Sequence, residues 1–67
     1  MKTKIDKSQL QAAKIFGVND FNKGIKAAPC LSDNCMSLVE VNQHIKGATV
    51  AIMNAWTKGW NLANLSA

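Results

Sequence analysis

The chain has 67 residues, of which 48% are hydrophobic and 18% charged, with one proline and four glycines. This composition excludes a disordered tail or a collagen-like repeat, and the length excludes an enzyme that combines a substrate domain with a cofactor domain. A chain this small builds one core that only just offsets the conformational entropy of folding. The sequence therefore predicts one compact domain.

The net charge of +4 is carried entirely by the first part of the chain. Basic residues exceed acidic ones in residues 1–28 and equal them in residues 29–67, and all the basic residues are lysines. A one-sided basic surface favours a polyanionic partner, but specific base reading and bidentate phosphate binding rely on arginine. We therefore expect either a solvated surface that keeps the protein soluble or weak, salt-sensitive phosphate contacts made by Lys14, Lys23 and Lys26.

The sequence favours a cytoplasmic protein that does not enter a membrane. Its basic start is not followed by the apolar run of an export signal. The longest apolar stretch, residues 48–56, is interrupted by two polar residues and is far shorter than the ~20 residues of a membrane-spanning helix. Without an export signal, Cys30 and Cys35 indicate a reducing compartment and two free thiols, although a local disulfide between them is sterically allowed.

Capping signals and apolar spacing predict a first helix near residues 8–16. Asp6 or Ser8 provides an N-cap, and Gly17 is expected to end the helix in the left-handed conformation. Ala13, Gly17 and Val18 also match the small residue, turn glycine and buried aliphatic residue of a helix-turn-helix. Lys23, however, occupies a position that should be apolar in that motif. We therefore favour two helices joined by an ordinary αα corner.

The second predicted helix begins at Asn19 or Asp20 and ends near Ala27. Gly24 weakens it, and Pro29 disfavours helical geometry in the residue before it.

Two further helices are predicted in the second half of the chain. Ser32 is expected to cap a helix that starts at Asp33 and ends after Val41, where a polar, glycine-containing tract begins. From Ala48 onward, apolar residues recur at steps of three and four, which indicates a helix. No alternating strand pattern is seen, so the sequence predicts an all-α fold: a small single domain of three or four short helices over residues 8–66, preceded by a flexible basic N-terminus at residues 1–7.

No group of residues forms a convincing catalytic or metal site. Cys30, Cys35 and His44 are spaced C-x4-C-x8-H, with Asp33 as a nominal fourth ligand, but the second close pair of a structural zinc site is missing. A cysteine–histidine dyad lacks any nucleophile motif, and the glycines form no phosphate-binding loop. We expect no metal, no cofactor, no small-molecule substrate and no enzymatic activity.

The last predicted helix carries two tryptophans with a glycine between them. Trp56, Gly59 and Trp60 share one face, and the glycine removes a side chain where another backbone can approach. We expect this face to pack against the first or second helix of the same chain. Alternatively, part of it is an exposed anchor, which makes these three residues the candidate protein-binding site.

Residues 56–63 contain the pattern W-x-x-G-W-x-x-A. Together with the upstream pair Lys23-Gly24 and a mid-chain cysteine, this pattern resembles the ribosome modulation factor family of small bacterial proteins. The resemblance covers residues 56–64 and implies a helical protein that binds the ribosome. By size and composition the chain also looks like the small accessory proteins of phages and mobile elements.

These observations leave two functional hypotheses. The first is a protein-binding module that associates with another protein, or with itself as a homo-oligomer, through the tryptophan-containing face. The second is a nucleic-acid or ribosome accessory factor that uses its lysines. The first ranks higher, because single-strand binding surfaces interleave cations with aromatic residues, and here the two groups are separate in sequence.

Overall fold

A computed structural model describes residues 7–66 of the chain. It contains three α-helices, α1 (Lys7–Asn22), α2 (Asp33–Val41) and α3 (Ala48–Ser66), and a short 3-10 helix (Pro29–Leu31) before α2. The described residues form no strand, and the predicted all-α single domain is confirmed. Lys7 already belongs to α1, whereas the rest of the predicted flexible N-terminus lies outside the described residues.

The boundaries of α2 and the start of α3 agree with the predictions from sequence. Ser32 caps α2, because its hydroxyl oxygen accepts a hydrogen bond from the backbone N–H of Cys35 at 3.1 Å. Asp33 lies in the first turn, where a negative charge is favoured by the helix dipole. At the other end of α2, the side chain of Asn42 donates to the carbonyl oxygen of Leu38 at 2.9 Å.

The prediction that the first helix ends at Gly17 is wrong, because α1 continues without a turn to Asn22. The left-handed residue after its end is Gly24, whose φ is +86°. The separate helix predicted from Asn19 or Asp20 does not form: its first residues belong to α1, and residues 23–28 are turns and extended backbone. An unbroken helix at Gly17 also removes the turn on which the helix-turn-helix alternative depended. The Asp6 cap lies outside the described residues, and Ser8 lies inside α1.

The second helix runs antiparallel to the first. At one end, the Ser32 hydroxyl donates to the carboxylate of Asp20, near the end of α1. At the other end, the amide of Asn42 donates to the side-chain oxygen of Gln9, near the start of α1, at 3.3 Å. These contacts fix α2 against the side of α1 that carries Gln9 and Asp20.

The first and third helices run in the same direction. Near its start, α1 shares a groove with Ala55 and Lys58, and near its end it shares another groove with Leu62 and Ser66. Together, the three helices bury a small core whose fully enclosed apolar members are Ala13, Cys35, Ala48, Ile52 and Trp56.

Two glycines allow α1 and α3 to touch backbone to backbone. A Cβ atom at Gly17 would lie 2.8 Å from the amide nitrogen of Trp60 and closer still to the carbonyl oxygen of Trp56. A Cβ atom at Gly59 would lie 2.8 Å from the carbonyl carbon of Lys14 and closer still to its oxygen. The contact is reciprocal, because each helix places a glycine against a carbonyl group of the other. It explains why a glycine is found in the middle of α1, where it disfavours the helix by ~1 kcal/mol relative to alanine.

Replacing either glycine with alanine should destabilise the fold although it improves helix propensity. Propensity alone predicts a gain of about 1 kcal/mol for Gly17→Ala or Gly59→Ala in an exposed helix. Because the new methyl group would overlap rigid backbone, we expect a loss of about 3 kcal/mol in the free energy of unfolding, measured by urea denaturation.

The control for both variants is Asn61→Ala, an exposed position on α3, which should change stability by no more than about 0.5 kcal/mol. If the glycine variants unfold at the wild-type urea concentration or above it, the close helix contact is incorrect.

Candidate functional site

Both tryptophans contact α1 and the segment that follows it. Trp56 is 0% exposed, and its indole Nε1–H donates to the carboxylate of Asp20 at 2.9 Å. Trp60 is partly buried; its Nε1–H donates to the carbonyl oxygen of Ile25 at 2.8 Å, and its ring meets that of Phe21 edge to face at a centroid distance of 5.1 Å. The predicted shared face therefore packs within the chain, as the glycine between the indoles suggested.

This packing changes which of the candidate protein-binding residues a partner can reach. Trp56 and Gly59 are buried inside the domain, so neither offers surface to another molecule in the folded state. Of the three candidates only Trp60 keeps part of its side chain at the surface. The candidate surface must therefore be built mainly from other residues.

A buried carboxylate, which the sequence analysis treated only as a helix cap, joins all three helices. Asp20 is 2% exposed and accepts hydrogen bonds from the Ser32 hydroxyl and the Trp56 indole. The spacing in the sequence indicates that this position is buried. Asp20 lies seven residues after Ala13 and three after Gly17, which places it on the buried side of α1. Both donors are neutral and are held in place by the fold, so the three side chains form a hydrogen-bond network that links α1, the N-cap of α2 and α3.

The two cysteines have different environments. Cys30 is an exposed free thiol, and Cys35 is a free thiol that packs in the core as a small apolar residue. Burial, together with the negative charge of Asp20, raises the pKa of the Cys35 thiol from 9.0 to about 11. His44 is exposed, and within residues 7–66 no three histidine, cysteine or acidic side chains come together as a metal site.

Three lysines line one groove between the first half of α1 and the middle of α3. The groove has a volume of about 320 Å³, and two of its lysines, Lys7 and Lys58, were not among the candidates from sequence. Lys14 lies in this groove, whereas Lys23 and Lys26 are exposed beyond the end of α1. We call it the basic groove; its lining is Lys7, Leu10, Gln11, Lys14, Ala55 and Lys58.

A second groove lies between the last turns of α1 and α3. Its volume is about 360 Å³, and its lining, mainly apolar, is Val18, Phe21, Asn22, Leu62, Ala63 and Ser66. Leu62 in this lining is 42% exposed, and Leu65, one turn further along α3, is 82% exposed. We call it the apolar groove.

The chain matches no family model, and neither the curated proteins nor the solved structures contain a significant match to it. Among residues 7–66, no helix has the length and apolar character needed to cross a membrane.

Removing the buried carboxylate should destabilise the domain. In Asp20→Ala, the Trp56 indole and the Ser32 hydroxyl lose their acceptor inside the core, so the free energy of unfolding should fall by about 2–4 kcal/mol. Asp33→Ala removes the same charge from an exposed position in the first turn of α2 and should cost less than about 1 kcal/mol. Urea denaturation of both variants measures the difference, and equal losses would show that the network contributes nothing beyond charge.

The buried thiol should make stability fall at alkaline pH. Between pH 9 and 11 the unfolded chain releases the Cys35 proton while the folded chain retains it, so this contribution is complete below pH 9 and is lost as pH rises towards 11. The loss amounts to about 2–3 kcal/mol. Cys35→Ala should flatten this part of the profile, measured by urea denaturation in reductant.

The matched control is Cys30→Ala, which removes an exposed thiol and should keep the wild-type slope. The two variants differ only in which thiol is removed, so parallel profiles would contradict the assignment of the slope to Cys35.

Proposed function

We propose that the chain is a small non-enzymatic binding module of the cytoplasm that associates with another protein. The surface we assign to this function is the side of α1 and α3 that faces away from α2, which carries the basic groove and the apolar groove. We call it the open face. α2 packs against the side of α1 that carries Gln9 and Asp20, so it leaves both grooves uncovered.

The observation that carries the proposal is the exposed aliphatic surface beside the apolar groove. Leu62 and Leu65 are one turn apart on α3, and both are more exposed than a core position would allow. On α1, Ile15 is 49% exposed and lies one turn before Val18, which lines the groove. Contiguous apolar surface of this kind marks interaction sites in small soluble proteins.

Association with a different protein is favoured over self-association. Each copy has a net charge of +4, so two copies repel each other unless acidic residues of one meet lysines of the other. The exposed acidic side chains within residues 7–66, Asp33 and Glu40, lie on α2 and not on the open face. A symmetric dimer through two open faces would therefore set lysines against lysines or against the apolar groove, with no acidic side chain to pair with them.

The alternative function is binding to nucleic acid or the ribosome. The convergence of Lys7, Lys14 and Lys58 supports it, because three ammonium groups in one groove match a phosphate backbone. Against it, Trp56 of the pattern that resembles the ribosome modulation factor family is fully buried, and Trp60 is partly buried and hydrogen-bonded to Ile25, so little indole surface is open to stacking.

Site-specific photo-crosslinking tests the proposal. A photoreactive amino acid at Leu62 should form covalent adducts with a protein in cells that express the chain, because this side chain is exposed on the open face. The matched position is Ser37, which is exposed on α2, on the side of the domain away from the open face, and should form few or no adducts.

The adducts are separated by mass after nuclease treatment. Nuclease-resistant adducts from position 62 support protein association, and an adduct of twice the chain mass identifies a second copy. Adducts that disappear with nuclease, or equal yields at both positions, would reject the proposal.

A further inference from the structure

The two grooves of the open face form one continuous surface. Lys14 in the basic groove lies one turn before Val18 in the apolar groove, and Lys58 lies one turn before Leu62 in the same way. Residues four apart are neighbours on a helix surface, so both helices lead directly from the basic to the apolar groove. The close contact of Gly17 and Gly59 lies between the two grooves along the helices.

The charge distribution along this surface is polarised. Among residues 7–66, the basic groove is lined by three lysines and no acidic side chain, and the apolar groove by no charged side chain at all. Acidic groups of a bound ligand would therefore meet these lysines without competition from acidic side chains of the groove. Nothing within the described fold balances the three ammonium groups across the groove.

We propose that the open face binds an amphipathic helix of a partner protein whose first turns are acidic and whose later turns present leucine-like side chains. This inference rests on the proposed function and names the chemistry of the partner. The acidic turns lie against Lys7, Lys14 and Lys58, and the apolar turns lie in the groove beside Leu62. Acidic residues in its first turns also stabilise the bound helix itself through the helix dipole.

The dimensions of the face suit a helix. From Lys7 to Asn22, α1 rises by about 22 Å, which a helix of about 16–18 residues matches. A helix laid between α1 and α3 would complete a four-helix arrangement, with α2 on the opposite side. Packing of an amphipathic helix into an apolar groove is a common mode of peptide recognition.

An RNA strand fits the same face less well. The apolar groove offers aliphatic side chains, and the ring of Phe21, the aromatic residue lining it, is engaged edge to face by Trp60. Bases therefore find in this groove one aromatic ring that already packs against Trp60, and phosphates find no arginine in the chain. The polarised surface matches a ligand with one charged and one apolar end.

A synthetic peptide provides the probe. It is fluorescein-labelled, about 18 residues long, with glutamates in its first two turns and leucines at i, i+3 and i+4 spacing in the rest. Binding to the full chain is followed by fluorescence anisotropy. A second peptide in which every glutamate is glutamine, and an oligouridylate of equal charge, are compared under the same conditions.

Paired lysine variants locate the acidic end of the peptide. The double variant Lys14→Gln/Lys58→Gln should weaken binding about fivefold to tenfold, since each partly exposed ion pair contributes a modest amount. Lys23→Gln/Lys26→Gln makes the same change in net charge outside the groove and should leave affinity within about twofold of wild type.

A leucine variant locates the apolar end. Leu62→Asn should weaken binding about tenfold or more, because a leucine side chain is desolvated in the complex. The control is Val50→Asn, which changes a 63% exposed aliphatic residue of α3 outside both grooves. Circular dichroism melting confirms that both variants remain folded.

The outcomes separate this inference from the proposed function. Equal losses from the two lysine pairs, equal affinity for the glutamine peptide, or preference for oligouridylate would overturn the acidic-helix inference. If position 62 still crosslinks to a protein in that case, the protein-binding function stands with a partner of other chemistry. If crosslinking fails as well, both are rejected.

Discussion

The arrangement depends on one backbone contact, in which Gly17 and Gly59 each lie against a carbonyl group of the opposite helix. Side chains between packed helices normally keep the helix axes about 8–10 Å apart. Because Gly17 and Gly59 have no side chains, the backbones of α1 and α3 come into direct contact. Two helices that cross at a close point must separate on either side of it. The basic groove and the apolar groove are those two separations, so the contact that holds the fold together also creates the two grooves of the open face.

The buried Asp20 adds specificity to this crossing. A carboxylate inside a core is costly to bury unless donors reach it, and here the donors come from the N-cap of α2 and from the side chain of Trp56. The Ser32 hydroxyl and the Trp56 indole have to reach Asp20 at the same time. The network therefore disfavours a shifted register of either helix, which purely apolar packing in so small a core would tolerate more easily.

The sequence predicted those elements that local signals define. Ser32 and Asp33 mark the start of α2, and apolar spacing marks α3, so both were correct. Gly17 was misassigned because a missing side chain serves equally for a left-handed exit or for close approach of a second helix, and one sequence does not distinguish them. The basic groove was only partly found, since Lys7 and Lys58 meet Lys14 through tertiary packing that no linear spacing records.

The division of side chains between fold and surface restricts what a partner can recognise. The residues that usually dominate binding, the two indoles, are hydrogen-bonded within the chain, and exposing Trp56 would break its bond to Asp20. Under the proposed binding function, recognition would therefore depend on ammonium groups and aliphatic carbons. Ammonium groups attract a ligand at a distance but fix its orientation poorly, whereas an apolar groove acts only on contact. A surface with a basic end and an apolar end would favour a ligand with an acidic end and an apolar end, and this order of charge would determine its selectivity more than any single side chain.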